Sequence, residues 1–332
     1  MRISLFLPHV GVFGGVRRFL ELGNVWSAGG HEVTLFHPGG EPPAWLPFAG
    51  TTRPLDAANA QASDLALCAD PGTFAAFTGH PAGLRLYYCV IEGDPGAAHA
   101  LRQPGVRLAA NSGPLRRSLQ RRTRRPVLDG RGGIDPGRFR PDPARRAGSP
   151  LRVLVNGRRS RRKKGTDLVL RALAGIADRV PEFEVVLFDS LGPQNRQDPR
   201  DGAPLPARAR FVLDPTQEEL VALYQSAHLF VAAERKAGWC NTALEAMACG
   251  SAVACTRSGT TDFARDGTTA LVVPVRHPWF IRRAARRLLA DVALRERLAA
   301  AGPAEAGRWS WPRLAERLLD GVSAPAARSS AA

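Results

Sequence analysis

Between Glu234 and Pro274 the chain reads ERKAGWCNTALEAMACGSAVACTRSGTTDFARDGTTALVVP. One succession there holds a glycine turn (Gly238), a helix start, a carboxylate (Glu245), a glycine stop (Gly250), the apolar run Ala252 to Cys255 and a second polar turn from Ser258 to Asp262. That order fits the rim of a parallel sheet, where a pocket for phosphate and ribose forms at the strand ends.

Thr242 followed three residues later by Glu245 has the spacing of a capping box, and Gly250 supplies the left-handed residue that stops a helix. Leu229 to Val231 precede it as an apolar strand, so the turn around Gly238 lies at a strand's carboxyl end. Free amides of such a helix start, with the helix dipole behind them, would receive a diphosphate. Glu245 is equally a helix cap on this evidence alone.

A second loop of this kind follows the apolar run Leu151 to Val155. From Arg158 to Lys164 six of seven residues are cationic, before a helix that opens near Asp167. A solvated basic loop would look the same, but a position directly after a strand favours anion binding. At the amino terminus, Ile3 to Leu7 reads as a strand and Val16 to Ala28 as a helix with a stripe at Val16, Phe19, Leu20 and Gly23. Gly11, Gly14 and Gly15 lie between them and let a ligand approach the backbone closely. Their spacing is not that of a dinucleotide fingerprint, and no acidic residue ends the next strand, Val33 to Phe36.

On these residues the chain resembles the retaining nucleotide-sugar glycosyltransferases of family 4, the glycosyl transferases group 1. Their signature has two glutamates eight positions apart, the second in a Glu-Ala-Met-Ala-x-Gly segment, here Glu245 to Gly250. The resemblance implies the GT-B fold, α/β with two Rossmann-like domains whose parallel sheets face each other across a cleft. It assigns the donor's ribose hydroxyls to Glu245 and the donor diphosphate to Arg158 and Lys164. Gly14, Gly15, Gly238, Asn241, Thr242 and Ala243 are the further donor-binding candidates. The first glutamate of the signature is replaced by Ala237, and Glu234 is the nearby carboxylate that could act in its place. RLYYCVIEG, RLAANSGPLRRSL and GGIDPGRFRP are also similar to the family. Ser112 reads there as a helix cap and Asp135 as a turn former. The segment FVLDPTQEELVALYQSAHLFV resembles the one that contacts the nucleobase, with Glu219 and Leu220 opening a helix.

A length of 332 residues suits two domains. The polar run Pro141 to Pro150 is the linker candidate, between a domain at 1–145 on the acceptor side and one at 150–308 on the donor side. Alternating strand and helix patterns on both sides argue for parallel sheets. The segment 309–325 is expected to return to the first domain as a helix. His9, Asp70 and Glu92, each just past a predicted strand, are the acceptor-side candidates.

The net charge is +16, and all but three of the 46 basic residues are arginine. This favours approach to anionic donors, phosphorylated lipids or an anionic membrane surface. Six arginines between Arg116 and Arg125 form a basic patch, but only Leu115 and Leu119 offer it an apolar stripe, too little for insertion. No zinc-finger spacing or interleaved aromatic platform speaks for nucleic acid. Five cysteines without a Cys-x-x-Cys pair and a start lacking a signal-peptide pattern suggest a cytoplasmic protein, at most peripheral to the inner face of the membrane. No His-Glu-x-x-His or Asp-x-Asp is present, so no metal and no cofactor beyond the nucleotide-diphosphate sugar is expected.

The expectation is a metal-independent hexosyl- or deoxyhexosyltransferase acting on a glycan or lipid-linked acceptor, of open oligomeric state. Ala237 motivates an alternative, a degenerate relative that binds a sugar nucleotide or glycan without turnover. A Rossmann oxidoreductase or a nucleic-acid binder is the remaining class.

Overall fold

The computed structural model describes residues 1–146, 148, 150–192, 198, 200–201 and 204–324. Two all-parallel sheets organise the chain. The first has seven strands: β1 (Arg2–Phe6), β2 (Glu32–His37), β3 (Thr51–Pro54), β4 (Ser63–Cys68), β5 (Ala82–Cys89), β6 (Val106–Ala110) and β7 (Val127–Asp129). Their order is β3-β2-β1-β4-β5-β6-β7. The second has six: β8 (Leu151–Asn156), β9 (Phe183–Asp189), β10 (Ala209–Leu213), β11 (Leu229–Ala232), β12 (Ala252–Thr256) and β13 (Leu271–Val273). Their order is β10-β9-β8-β11-β12-β13. Winding therefore reverses between β1 and β4 in one sheet and between β8 and β11 in the other. Such reversals open a crevice beyond the strand ends, and the loops after β8 and β11 flank the second one.

The helices that connect the first set of strands are α1 (Gly14–Ala28), α2 (Phe74–Gly79), α3 (Pro95–Arg102) and α4 (Gly113–Gln120). A short helix α5 (Pro143–Arg146) lies in the expected linker and packs against α7. The second half adds α6 (Thr166–Ala174), α7 (Gln217–Ser226), α8 (Asn241–Ala248), α9 (Pro278–Ala290), α10 (Val292–Gly307) and α11 (Trp311–Ser323).

Each sheet is covered on both faces, so its strands are apolar on both sides. In β1, Ile3 and Leu5 join the core under α1 while Phe6 joins the opposite layer with Phe36 and Phe77. Around the second sheet, Leu154 and Phe230 pack toward α7 and α8, and Val153, Val155 and Val231 toward α6 and α9.

The last helix, α11, lies on the first half. Trp311, Leu314, Ala315, Leu318 and Val322 form one stripe at helical spacing and are buried in the α1 core. The Trp26 indole donates to Ala315 O at 3.3 Å, and Ser310 bridges to Ile134. Of the expected span 309–325, residue 325 lies outside the described residues. Leu314→Ala should cost about 2–5 kcal/mol of stability, read as a lower urea midpoint.

Ser112 caps α4, its hydroxyl accepting from Leu115 N–H at 3.3 Å, and Asp135 accepts from the Gly137 and Arg138 amides. A capping box is present at Thr216 and Glu219, where α7 begins. No helix among the described residues is long and apolar enough to cross a membrane.

Candidate active site

The loops beyond the carboxyl ends of both sheets enclose a cavity of about 240 Å³. From the second half, the β8–α6 loop contributes Arg158, Arg161, Lys163 and Lys164, and the β11–α8 loop contributes Glu234 to Trp239. Gly165 makes the first of these loops possible. It caps α6 at φ 74°, and an added Cβ would stand 2.3 Å from Ala233 O.

The cations are held in place by acids. Arg158 makes a bidentate pair with Asp189 at the end of β9, Nε to Oδ2 at 2.9 Å and Nη2 to Oδ1 at 2.7 Å. Lys164 Nζ lies 2.7 Å from Glu234 Oε1. Both carboxylates are buried, at 6% and 7% exposure, so each pair is largely screened from water and fixes its cation on the cavity wall. Lys163 has a pKa pulled below the ordinary lysine value by burial, then by the nearby positive charges of Lys164 and Arg161. Crowded cations of this kind favour an incoming anion. Lys236, at φ 63°, carries the β11–α8 loop through a left-handed turn that a side chain seldom adopts.

Helix α8 departs from the expected cap. Thr242 and Glu245 do not form a capping box, because α8 begins two residues earlier than that box requires, at Asn241 after Cys240, and no side-chain hydrogen bond caps it. Thr242 therefore lies inside the first turn, its hydroxyl 3.6 Å from Cys240 Sγ. Glu245 accepts instead from the Tyr224 hydroxyl at 2.8 Å, and burial together with that carboxylate raises the tyrosine's pKa. Asn241, Thr242 and Glu245 line the cavity, so an uncapped helix start faces it. Ala243 does not line it: the side chain is fully buried in the core. Gly250 ends the helix at φ 74°.

The first half closes the cavity with Val12, Phe13, Gly14, Gly15, Trp45, Val90, Ile91 and Asn111, among others. Direct contacts seal the seam. Ile91 forms an antiparallel bridge with Ala237. Asp262 accepts from Gly113 N–H at 2.8 Å and pairs with Arg131 at 3.2 Å. Arg17 on α1 hydrogen-bonds Gln217 on α7. At Gly238 an added Cβ would meet Val90 O at 2.2 Å and Asn111 Oδ1 at 2.6 Å, so only glycine allows this approach.

Arg158, Lys164, Glu234, Gly14, Gly15, Gly238, Asn241, Thr242 and Glu245 thus share one hollow. The acceptor-side candidates do not reach its wall. Asp70 turns to the Gly72 amide at 2.7 Å as the cap of a short 3-10 turn, and His9 Nδ1 accepts from Gly11 N–H at 3.1 Å. Glu92 is exposed on the turn after β5. Residues that the sequence did not single out take part: Asp189, Tyr224, Arg17, Trp45 and Asn111. Of these, Asp189 alone carried a signal, as an acid closing the apolar run VVLF.

Residues 142–305 match the family model of glycosyl transferases group 1. This segment, just under half of the chain, is a glycosyl transferases group 1 domain. The chain is similar to the D-inositol 3-phosphate glycosyltransferase of Corynebacterium jeikeium, 32% identical over 185 residues, covering 52% of this chain and 44% of that protein. The chain thus spans less than half the length of that curated relative. In structure it is similar to sucrose-phosphate synthase from Thermosynechococcus elongatus, with TM-score 0.74 and 18% identity over 96% of this chain and 98% of the other. HepE of Anabaena, solved with UDP and glucose, superposes with TM-score 0.75 at 13% identity, over 97% of this chain and 99% of that one. These likenesses establish the GT-B fold for the chain.

Proposed function

We propose that the chain moves a hexose or deoxyhexose from a nucleoside-diphosphate donor to a hydroxyl acceptor, with retention at the anomeric carbon and without a metal. The observation that carries this reading is the single hollow in which Arg158, Lys164, the open start of α8 and Glu245 meet. The cations and amides hold the diphosphate and stabilise the charge that grows on it as the sugar leaves. Glu234 keeps Lys164 in place, and Glu245, fixed by Tyr224, receives the ribose hydroxyls. The departing diphosphate takes the acceptor proton, so the protein's share is positioning and charge stabilisation.

The neighbour solved with UDP and glucose supports a nucleotide-sugar donor, and the relative named as a glycosyltransferase supports sugar transfer. A glycan or lipid-linked acceptor would reach the site from the cytoplasmic membrane face, with peripheral contact through the exposed Arg117, Arg121, Arg122 and Arg124. The neighbouring Arg116, also exposed, donates through Nε to Val127 O, and the half-buried Arg125 donates to backbone carbonyls such as Leu101 O.

UDP, GDP, ADP and dTDP should be tried in thermal unfolding; one of them at a hundred times its Kd adds about 2.7 kcal/mol. No stabilisation by any of the four would reject the reading. Release of nucleoside diphosphate in a mixed acceptor pool then reports turnover. Binding without turnover is the second reading, favoured by the methyl of Ala237 where the family signature has a glutamate. A sugar nucleotide that binds yet is never consumed would decide for it.

Binding should also take up protons in alkaline buffer. A bound diphosphate raises the Lys163 pKa from its depressed value, so protons are taken up where the free protein has begun to lose them, below and up to the ordinary lysine value. Calorimetry in two buffers of different ionisation heat reads this uptake. Proton release, or none, would place the anion away from Lys163.

A further inference from the structure

The two loops that carry the cations of the cavity follow neighbouring strands, β8 and β11, and are tied to each other. On the cavity side Lys164 Nζ meets Glu234 Oε1 at 2.7 Å, and between the backbones the Arg235 N–H donates to Lys163 O at 2.8 Å. A further tie comes from neither loop. Arg276, in the turn between β13 and α9, donates through Nε to Ala233 O at 2.6 Å and through Nη2 to Arg162 O at 2.7 Å. Ala233 directly precedes Glu234, and Arg162 directly precedes Lys163. β13 is the edge strand and β12 separates it from β11, so this side chain reaches inward from the rim of the sheet to brace both loops.

The brace is closely fitted. An added Cβ at Gly165, where the first loop enters α6, would stand 2.9 Å from Arg276 Nη2 as well as 2.3 Å from Ala233 O. Arg276 does not itself line the cavity. Among the described residues it pairs with no carboxylate, and burial followed by the charge of Arg235 lowers its pKa. An arginine set among cations without an acid is unfavourable in itself, so the two carbonyls are the contacts that hold it there. A planar guanidinium offers them two donors at a fixed spacing, which the single ammonium of a lysine does not.

We propose that Arg276 is a positioning residue for the diphosphate grip, its fork holding Ala233 O and Arg162 O so that Lys163, Lys164 and Glu234 keep their places on the cavity wall. This rests on the donor site proposed above. Arg276 touches no substrate. Its effect therefore falls on the phosphates, which those two loops meet, and leaves the nucleoside end of the donor, held by Glu245 and Tyr224, nearly unchanged.

The test compares two ligands by calorimetry, whichever of the four nucleoside diphosphates stabilises the protein and the nucleoside of the same base. In Arg276→Ala the diphosphate should bind about tenfold more weakly, as when a group that orients a metal-binding side chain is removed. The nucleoside should change less than about twofold, because it lacks the groups that the braced loops hold. Arg276→Lys keeps the charge but not the fork, and its diphosphate affinity should lie between the other two. Should the alanine variant fail to fold, the lysine variant carries the same comparison. A brace that served folding alone would lower the melting temperature and leave both affinities as they were, or weaken both ligands equally. Either result would overturn the proposal, and so would full diphosphate affinity in Arg276→Lys. If the unaltered protein binds no nucleoside diphosphate, the donor site falls first and takes this inference with it.

Discussion

Replacing Lys164 with alanine should lower kcat/KM for sugar transfer by roughly 10²- to 10³-fold, the usual effect of removing one preorganised group from a developing charge. The ammonium is placed for this by the Glu234 carboxylate 2.7 Å away, in a wall where burial strengthens both the pair and its attraction for a phosphate. The same substitution strands Glu234, which is 7% exposed, so part of the effect will be on stability. Glu234→Gln separates the two. It keeps a hydrogen-bonding partner for Lys164 while removing the stranded charge, and in combination with Lys164→Ala it should restore the melting temperature without restoring turnover. Recovery of both would mean that Lys164 serves folding alone.

Gly238→Ala should reduce transfer by about 10²-fold through geometry, since a displacement on the order of 1 Å at a reacting centre has that effect. The added methyl would stand 2.2 Å from Val90 O and 2.6 Å from Asn111 Oδ1, both in the first half. Val90 O is backbone, and the Asn111 side chain is buried and tied to it by a 2.9 Å hydrogen bond, so the halves must part at the Ile91–Ala237 bridge. The diphosphate grip belongs to the second half, so nucleoside-diphosphate affinity should change much less than turnover. Steady-state kinetics beside calorimetry reads the contrast. Full turnover in this variant would show that the closed arrangement is not the one that reacts.

Much of the architecture was legible because strands buried on both faces read as unbroken apolar runs, such as VVLF in β9 and LFVA in β11. The return of α11 was expected from the resemblance, and in the structure its apolar stripe is buried in the α1 core. Loops that follow strands were legible as candidate sites, and the structure puts Arg158, Lys164 and Glu245 on the wall of one cavity. What stayed hidden were partners supplied by tertiary docking. Asp189 lies 31 residues beyond Arg158, and Tyr224 lies 21 before Glu245. The capping-box reading of Thr242 and Glu245 failed because spacing reports a helix start only to within one or two residues; α8 starts two residues earlier, and Glu245 accepts from Tyr224 instead. His9, Asp70 and Glu92 show the same limit from the other side. A position just past a strand places a residue at the sheet edge, but local turns decide where its side chain points, and the Gly72 amide claims Asp70.

The most direct measurement is a crystal structure of the chain with a bound nucleoside diphosphate. The account predicts both phosphates between Lys164 Nζ and the Asn241 and Thr242 amides, with the ribose hydroxyls on Glu245. A diphosphate bound at another surface, with Lys164 still closed on Glu234 and the start of α8 empty, would contradict it.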